Sequence, residues 1–209
     1  MSHRTSVERI GERVRKIRFV IESLDRCRVG ERCNLAKVGR AFRELKLKDA
    51  PHSWEEAEEA VRRIWEIPTK APIYGRLERF DRLAGKLAVV GLVLVLASVA
   101  VLFTELPLIV YIALLLSSGV LINAAYFLRI YVQHKIIGIY SEREDELERL
   151  GRPLKETIDY LLVKAKGEVR KLRAQPGEFR LRLRFADYEN IRVIKRPSAL
   201  RGSYLVSLS

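Results

Sequence analysis

Residues 87–103 (LAVVGLVLVLASVAVLF) and residues 106–128 (LPLIVYIALLLSSGVLINAAYFL) decide the fold of this 209-residue chain. Neither stretch contains a charged side chain, and only Thr104 and Glu105 separate them. As helices they would reach roughly 26 and 35 Å, against a bilayer hydrocarbon core of about 30 Å. The sequence therefore predicts a helical hairpin that crosses the membrane twice, with spans at 87–103 and 106–128.

Charges beside the two spans indicate the orientation of the hairpin. The connecting turn carries only Glu105, whereas basic side chains flank both outer ends: Arg76, Arg79, Arg82 and Lys86 before the first span, and Arg129, Lys135 and Arg143 after the second. The positive-inside rule then predicts a multi-pass protein of the cell membrane with both termini in the cytoplasm. The opening segment MSHRTSVERIGERVRK is charged throughout, so we expect no cleavable signal and a first span that directs membrane entry itself.

The soluble segments are basic on both sides of the hairpin. Residues 1–82 contain 20 Lys/Arg and 14 Asp/Glu, and residues 134–209 contain 17 and 11, so each segment carries an excess of +6 within a total of +13. Such an excess attracts anionic lipid headgroups, nucleic acid or an acidic protein surface. Part of this charge is explained by membrane topology alone.

Side chains that degrade on heating are rare in this chain, which suggests a thermophilic source. Three Asn, two Gln and one Met stand against 39 Lys/Arg, a bias that is typical of hyperthermophiles. This bears on Cys27 and Cys33, which the predicted topology places in the cytoplasm. Free structural thiols are the ordinary expectation there, but hyperthermophiles also form cytosolic disulfides, so a disulfide between these two cysteines is an alternative. A metal half-site is the third interpretation, although His3, His52 and His134 are scattered.

The second span carries a stripe of small side chains suited to helix packing. Its members follow one another at steps of four, three and four residues: Ala113, Ser117, Val120 and Ala124. Small residues let another helix approach closely, and the partner is either the first span or a second copy of the chain. Asn123 is the one amide within the spans. We expect it to bond across the hairpin, with the polar interior of an oligomer as the alternative.

Residues 1–67 predict a small cytoplasmic helical bundle. The first helix has an apolar seam at steps of three and four residues: Val7, Ile10, Val14, Ile17, Ile21 and Leu24. A second helix follows Asn34 as its N-cap, and a third opens with a capping box of Ser53 and Glu56 before Pro68 ends it. Residues 68–86 are predicted as a basic linker that leads into the membrane.

Beyond the hairpin, residues 129–173 predict a cytoplasmic helical stalk, in which Pro153 opens the last helix. The period then changes in residues 174–209, where apolar residues alternate with arginines in 179–185 and two further strands are predicted at 191–195 and 203–208. This region is therefore predicted as a basic β-meander. The fold class is a mainly α membrane protein with a two-helix hairpin, an N-terminal helical bundle, and a C-terminal helix plus short meander.

Two basic rows are candidates for binding a polyanion. Lys37, Arg40 and Arg43 lie on the predicted second helix, which would serve as the recognition helix of a helix-turn-helix motif. Arg180, Arg182 and Arg184 form a row on one face of the first strand and could contact phosphates of lipid or RNA. The alternatives are an ordinary solvated helix face and a charged sheet edge that prevents aggregation.

Catalytic and cofactor-binding motifs are missing from the sequence. No phosphate-binding loop, dinucleotide-binding glycine motif, nucleophile elbow or HExxH motif occurs. The three histidines are dispersed, and the acidic runs are typical of solvated helix faces. We therefore expect no enzymatic activity, no cofactor and no metal.

The leading hypothesis is a non-enzymatic two-pass membrane anchor or scaffold. Its basic cytoplasmic domains would bind a protein partner, a second copy of the chain or an anionic surface at the inner membrane face. One alternative is a homo-oligomeric pore or cation channel with Glu105 as a ring of carboxylates at the outer mouth. The other alternative is a membrane-tethered nucleic-acid-binding protein.

Overall fold

The computed structural model describes residues 2–47, 49–104, 107–172, 175–198 and 202–209. The chain is mostly helical with a small sheet, as predicted. The helices are α1 (Ser2–Arg28), α2 (Leu35–Glu44), α3 (Trp54–Glu66), α4 (Tyr74–Val101), α5 (Leu108–Glu142) and α6 (Glu144–Lys171), and the strands are β1 (Arg180–Leu183), β2 (Ile191–Lys195) and β3 (Tyr204–Leu208). Short 3₁₀ turns lie at Pro68–Lys70 and Pro176–Glu178.

The chain divides into two compact units. Unit 1 combines Met1–Glu66 with Arg143–Ser209, and unit 2 is Ile67–Glu142. The predicted division into a bundle (1–67), a stalk (129–173) and a separate meander (174–209) therefore differs from the structure. α6 packs on both α1 and α3, and β1 packs on α1, so the two flanks of the hairpin share one core.

The apolar seam of α1 forms the centre of unit 1. Ile17, Ile21 and Leu24 are fully buried, and the matching seam of α6 buries Leu154, Ile158, Leu161, Leu162 and Ala165. Each helix has one apolar stripe, and neither stripe can be shielded from water by its own helix. At about 1.5 to 3 kcal/mol for each fully buried large aliphatic side chain, their mutual packing is the main stabilising contribution in this unit.

Caps predicted from the sequence set the starts of α2 and α3. The side chain of Asn34 accepts a hydrogen bond of 3.0 Å from the backbone N–H of Lys37. Ser53 and Glu56 form the reciprocal capping box, in which each side chain accepts a bond of 3.2 Å from the other residue's backbone N–H. These local bonds satisfy donors that the first turn of a helix leaves free.

The position of Pro153 corrects one prediction, because this residue does not open a helix. α6 begins earlier, at Glu144, and runs through Pro153. A proline inside a helix removes one backbone hydrogen bond. Here the nearby residues Leu154, Thr157 and Ile158 are all fully buried, and their packing holds the helix together across this point.

The sheet is not a meander, since its strand order is β1-β3-β2. β3 is antiparallel to both neighbours and lies in the centre. The burial of the strands explains the order. Val206, Ser207 and Leu208 of β3 are buried, whereas four of the five residues of β2 are exposed and suit an edge.

Unit 2 contains two helices that are long and apolar enough to cross a membrane, α4 and α5. α4 begins 13 residues before the predicted span 87–103, and α5 continues 14 residues beyond the predicted span 106–128. The predicted linker 68–86 instead contains the 3₁₀ turn and the beginning of α4, and Leu77 and Ala84 in this part are buried. Residues 129–142 of the predicted stalk are the end of α5 and belong to unit 2.

A seven-residue repeat of mostly small side chains forms the seam between α4 and α5. The buried members of the repeat are Leu77, Ala84, Gly91 and Ser98 on α4, and Ser118, Ala125, Val132 and Ile139 on α5. A Cβ at Gly91 would lie 2.7 Å from Ile122 Cγ1 and 3.3 Å from the Ser118 carbonyl oxygen, so glycine is needed for this close approach. The Ser98 and Ser118 hydroxyls each donate to a carbonyl of their own helix at 2.7 Å.

Candidate functional site

A buried polar network joins the end of α1 to the segment after β1. The fully buried Asp25 carboxylate accepts hydrogen bonds from the backbone N–H groups of Arg184 and Phe185 and from the hydroxyl of Tyr188, the last at 2.7 Å. All three donors come from the opposite end of the chain. Three donors around one carboxylate fix this segment against α1.

Burial raises the pKa of Asp25 to about 6, and the hydrogen bonds from Arg184, Tyr188 and Phe185 only partly counteract this effect. Removal from water disfavours the charged form of a carboxyl group. Burial and the neighbouring carboxylate of Asp25 also raise the pKa of Tyr188, so its hydroxyl keeps its proton and serves as a donor. Asp25 is therefore the acidic group of this network that titrates closest to neutral pH.

Arg28, one turn after Asp25, is the central cation of the network. Its Nη1 and Nη2 donate to Asp187 Oδ1 and Oδ2 at 2.8 and 2.7 Å, a bidentate pair. Its guanidinium carbon lies 4.2 Å from the centre of the Phe185 ring and 5.4 Å from that of Tyr188. The side chain is only 5% exposed, and its Nε has no hydrogen-bond partner among the described residues. The fold thus holds one strong cation rigidly with one donor unused.

Arg28 also lines a charged cleft on the first half of α6. The other lining residues all come from α6: Asp145, Glu148, Arg149, Arg152 and Lys155. Gly151 lies beside Arg28, since a Cβ there would be 3.1 Å from Arg28 Cγ. Helical periodicity brings Glu148, Arg152 and Lys155 to one face, and the missing side chain at Gly151 lets Arg28 approach this helix. The lining carries four cations against two carboxylates.

The predicted arginine row is not uniform: Arg180 and Arg182 lie in β1, and Arg184 directly follows this strand. Arg180 and Arg182 are exposed, and the backbone N–H of Arg182 donates to Glu22 at 3.0 Å. The guanidinium of Arg184 instead forms an ion pair with Glu31 and donates to the carbonyl of Gly202. Arg184 therefore anchors the end of β1 rather than presenting a free charge.

Lys37, Arg40 and Arg43 are all exposed on α2, as a solvated helix face requires. Lys37 Nζ lies 5.4 Å from the centre of the Phe19 ring on α1. Lys37 and Arg40 also line a shallow groove between α1 and α2 together with Arg15 and Lys16, but Glu12 and Glu44 form ion pairs with Lys16 there. The charges of this groove are therefore partly neutralised.

The predicted packing stripe of α5 lies outside the α4–α5 seam. Its residues are not buried in unit 2: Ala113, Ser117, Val120, Asn123 and Ala124. The seam runs one residue later, through Ser118 and Ala125, and Gly91 of α4 approaches Ser118 closely there. The Asn123 amide donates to the Gly119 carbonyl of its own helix at 2.8 Å, and among the described residues it has no bond across the hairpin. Glu105, the predicted pore mouth, lies outside the described residues.

Cys27 and Cys33 are joined by a disulfide. The bond closes the loop between α1 and α2, and Cys27 is fully buried. It therefore holds the loop beside the two network residues Asp25 and Arg28. Within the described parts of the chain, no group of three or more His, Cys, Asp and Glu side chains could hold a metal ion.

Sequence reasoning missed the network and the cleft, because their members are far apart in the chain. The one local signal was polarity within the α1 seam: Asp25 follows the buried Leu24, on a side of the helix where a lone carboxylate requires a partner. No family model, curated protein or solved structure matches this chain.

Proposed function

We propose that this protein is a non-enzymatic, two-pass membrane anchor that holds its basic unit 1 at the cytoplasmic face, where that unit binds a protein partner or an anionic surface. The observation that carries the proposal is that unit 1 combines the segment before the hairpin with the segment after it. A folded domain cannot be divided by a bilayer, so the segment between its two halves must cross the membrane an even number of times. Two apolar helices lie in that segment.

The surface of the hairpin supports insertion into lipid. Large apolar side chains are exposed along both helices of unit 2, among them Leu92, Leu96, Leu116, Val120 and Phe127. Water would make such a surface costly, whereas lipid tails cover it without penalty. The buried hydroxyls of the seam and the amide of Asn123 all bond within their own helices, as a lipid environment requires.

The charge of unit 1 supports binding of an anionic partner on the cytoplasmic side. Its 32 Lys/Arg and 22 Asp/Glu give a net charge of +10. Exposed cations provide an attraction that is long-ranged and sensitive to salt. They include Lys37, Arg40, Arg43, Arg180 and Arg182. The pore and the nucleic-acid-binding protein stay predictions, since no contact of the described residues favours either.

Cysteine accessibility in intact cells tests the topology. In a Cys27→Ala/Cys33→Ala background, Thr104→Cys in the exposed turn is expected to react with a membrane-impermeant maleimide from outside. Glu59→Cys and Glu178→Cys, one in each half of unit 1, are expected to react only after permeabilisation. Reaction of the two unit 1 positions from opposite sides of the membrane would exclude the anchor model.

Affinity purification from solubilised native membranes tests the binding role. The wild-type chain is expected to retain a stoichiometric protein or anionic lipids, and Lys37→Glu/Arg40→Glu/Arg43→Glu is expected to lose them. The matched control is Lys164→Glu/Lys166→Glu/Arg170→Glu, which reverses the same number of charges on α6. Recovery of neither protein nor anionic lipid with the wild-type chain would contradict the binding role while leaving the topology intact.

A further inference from the structure

We propose that the cleft lined by Arg28, Arg149, Arg152 and Lys155 binds the phosphate group of a small phosphate ester that carries free hydroxyl groups. The site is separate from the exposed basic faces on α2 and β1. If the ligand is a free metabolite, the proposal is independent of the membrane-anchor function. If the ligand is the headgroup of a lipid, the proposal rests on that function.

Two arginines of the cleft are largely free to pair with an external anion. Arg149 is exposed and has no ion pair among the described residues. Arg152 is 80% exposed at its side chain and has only a long contact of 3.6 Å with Glu156, which itself pairs with His52 at 2.8 Å. Arginine is suited to phosphate because its planar fork donates two parallel hydrogen bonds.

Arg28 supplies a fixed guanidinium in the lining of the cleft, where it and Lys155 both pair with Asp187. The bond to Asp187 and the packing against Phe185 hold its guanidinium in one place, so a ligand would lose little side-chain entropy by using it. Its Nε is buried and has no acceptor among the described residues.

The two carboxylates of the cleft suggest what accompanies the phosphate. Asp145 and Glu148 are exposed, and neither is paired within the described parts of the chain. Carboxylates accept hydrogen bonds from hydroxyl groups and repel additional phosphates. The lining therefore favours an ester that joins a single phosphate to a polyol over inorganic phosphate or a polyphosphate. The cleft volume of about 380 Å³ is in the range of small-molecule sites.

Such a ligand could be a free metabolite or the headgroup of a lipid, and one experiment separates these sources. The full chain is placed in phosphatidylcholine nanodiscs and titrated calorimetrically with glycerol 3-phosphate and with inorganic phosphate. In parallel, native mass spectrometry measures retention of phosphatidylglycerol from mixed nanodiscs. Glycerol 3-phosphate is expected to bind at least threefold more tightly than inorganic phosphate if the ligand is free. Retention of phosphatidylglycerol without binding of glycerol 3-phosphate identifies the lipid as its source.

Variants that replace charged side chains by neutral ones test whether binding occurs in the cleft. Arg149→Gln/Arg152→Gln is expected to weaken the observed binding at least tenfold, and Glu148→Gln is expected to reduce the preference for glycerol 3-phosphate. The control Lys37→Gln/Arg40→Gln removes the same charge from α2 and is expected to change binding less than twofold. Absence of binding to every probe, an equal loss in the control, or equal affinity for glycerol 3-phosphate and inorganic phosphate would overturn the proposal. None of these results depends on the maleimide test of topology.

Discussion

Arg28 and Asp187 share two parallel hydrogen bonds of 2.8 and 2.7 Å although 159 positions separate them in the chain. The pair links the end of α1 to the segment after β1, and Lys155 of α6 reaches the same carboxylate at 3.1 Å. Three parts of unit 1 therefore meet at one ion cluster, and its loss is expected to destabilise the whole unit.

Arg28→Lys is expected to lower the free energy of unfolding of unit 1 by about 2 kcal/mol, because lysine keeps the charge but loses one of the two bonds and the stacking on Phe185. Trp54 and Trp65 are the two tryptophans of the chain, and both lie in unit 1, so their fluorescence during guanidinium unfolding reports on this unit. Arg63→Lys in the exposed pair with Glu59 is the control and should change the value by less than about 0.5 kcal/mol.

The stability of unit 1 is expected to fall as pH rises from about 4 to 7, through titration of Asp25. The folded-state pKa of about 6 lies above the usual 3.8, so the folded state holds its proton more tightly than the unfolded state. The corresponding stability is complete below about pH 4 and is lost as pH passes 6, by up to about 3 kcal/mol. Asp25→Asn removes this titration. As pH rises across this range, the free energy of unfolding of the wild type should therefore fall relative to that of the variant. A relative rise would contradict a raised pKa of Asp25 in the folded state.

Reduction of the Cys27–Cys33 disulfide is expected to destabilise unit 1 by about 2 kcal/mol. The sequence separation is only 6, so the loss of loop entropy in the unfolded chain is modest. Unfolding of the wild-type protein with and without reductant measures the difference directly. Cys27→Ala/Cys33→Ala serves as the control, because reductant should leave its transition unchanged. A free thiol detected in the untreated protein would contradict the disulfide.

Gly39→Ala is expected to destabilise unit 1 by about 2 kcal/mol, because overpacking here outweighs the usual helix preference of alanine. A Cβ at Gly39 would lie 2.5 to 2.9 Å from the indole of Trp54, which is buried against Phe42 and donates to Glu58 at 2.8 Å. Gly167→Ala in α6 meets no atom within 4 Å and should instead stabilise by about 0.5 to 1 kcal/mol. Equal effects of both changes would argue against the tight contact at Trp54.

The helix caps and the apolar spans were predictable from the sequence, because each depends on residues that lie close together in the chain. The caps at Asn34 and Ser53 depend on neighbours three residues away, and the apolar spans form uninterrupted runs. The rotation of α5 was not predictable from the small residues of α5 alone, because the buried face also depends on the shape of α4, which lacks a side chain at Gly91. Likewise, an alternating pattern assigns the two faces of a strand, but the neighbour of each strand depends on burial over the whole unit.

The site was harder to predict than the fold for a similar reason. The row of Arg180, Arg182 and Arg184 was visible as a period of two. The ion pair with Glu31 and the hydrogen bond to Gly202, which distinguish Arg184 from the other two, were not. The cleft draws Arg28 from α1 and its remaining residues from α6, far later in the chain. Local patterns carry no information on contacts at this separation.

Unit 1 cannot finish folding until nearly the whole chain has been synthesised. α1, α2 and α3 leave the ribosome before α6 exists, so the apolar seam of α1 must wait without its main partner while residues 67–142 are made. At about 5 to 20 residues per second this delay lasts roughly 4 to 15 s. The central strand β3 is made later still. Closure of unit 1 therefore follows the synthesis of residues 67–142.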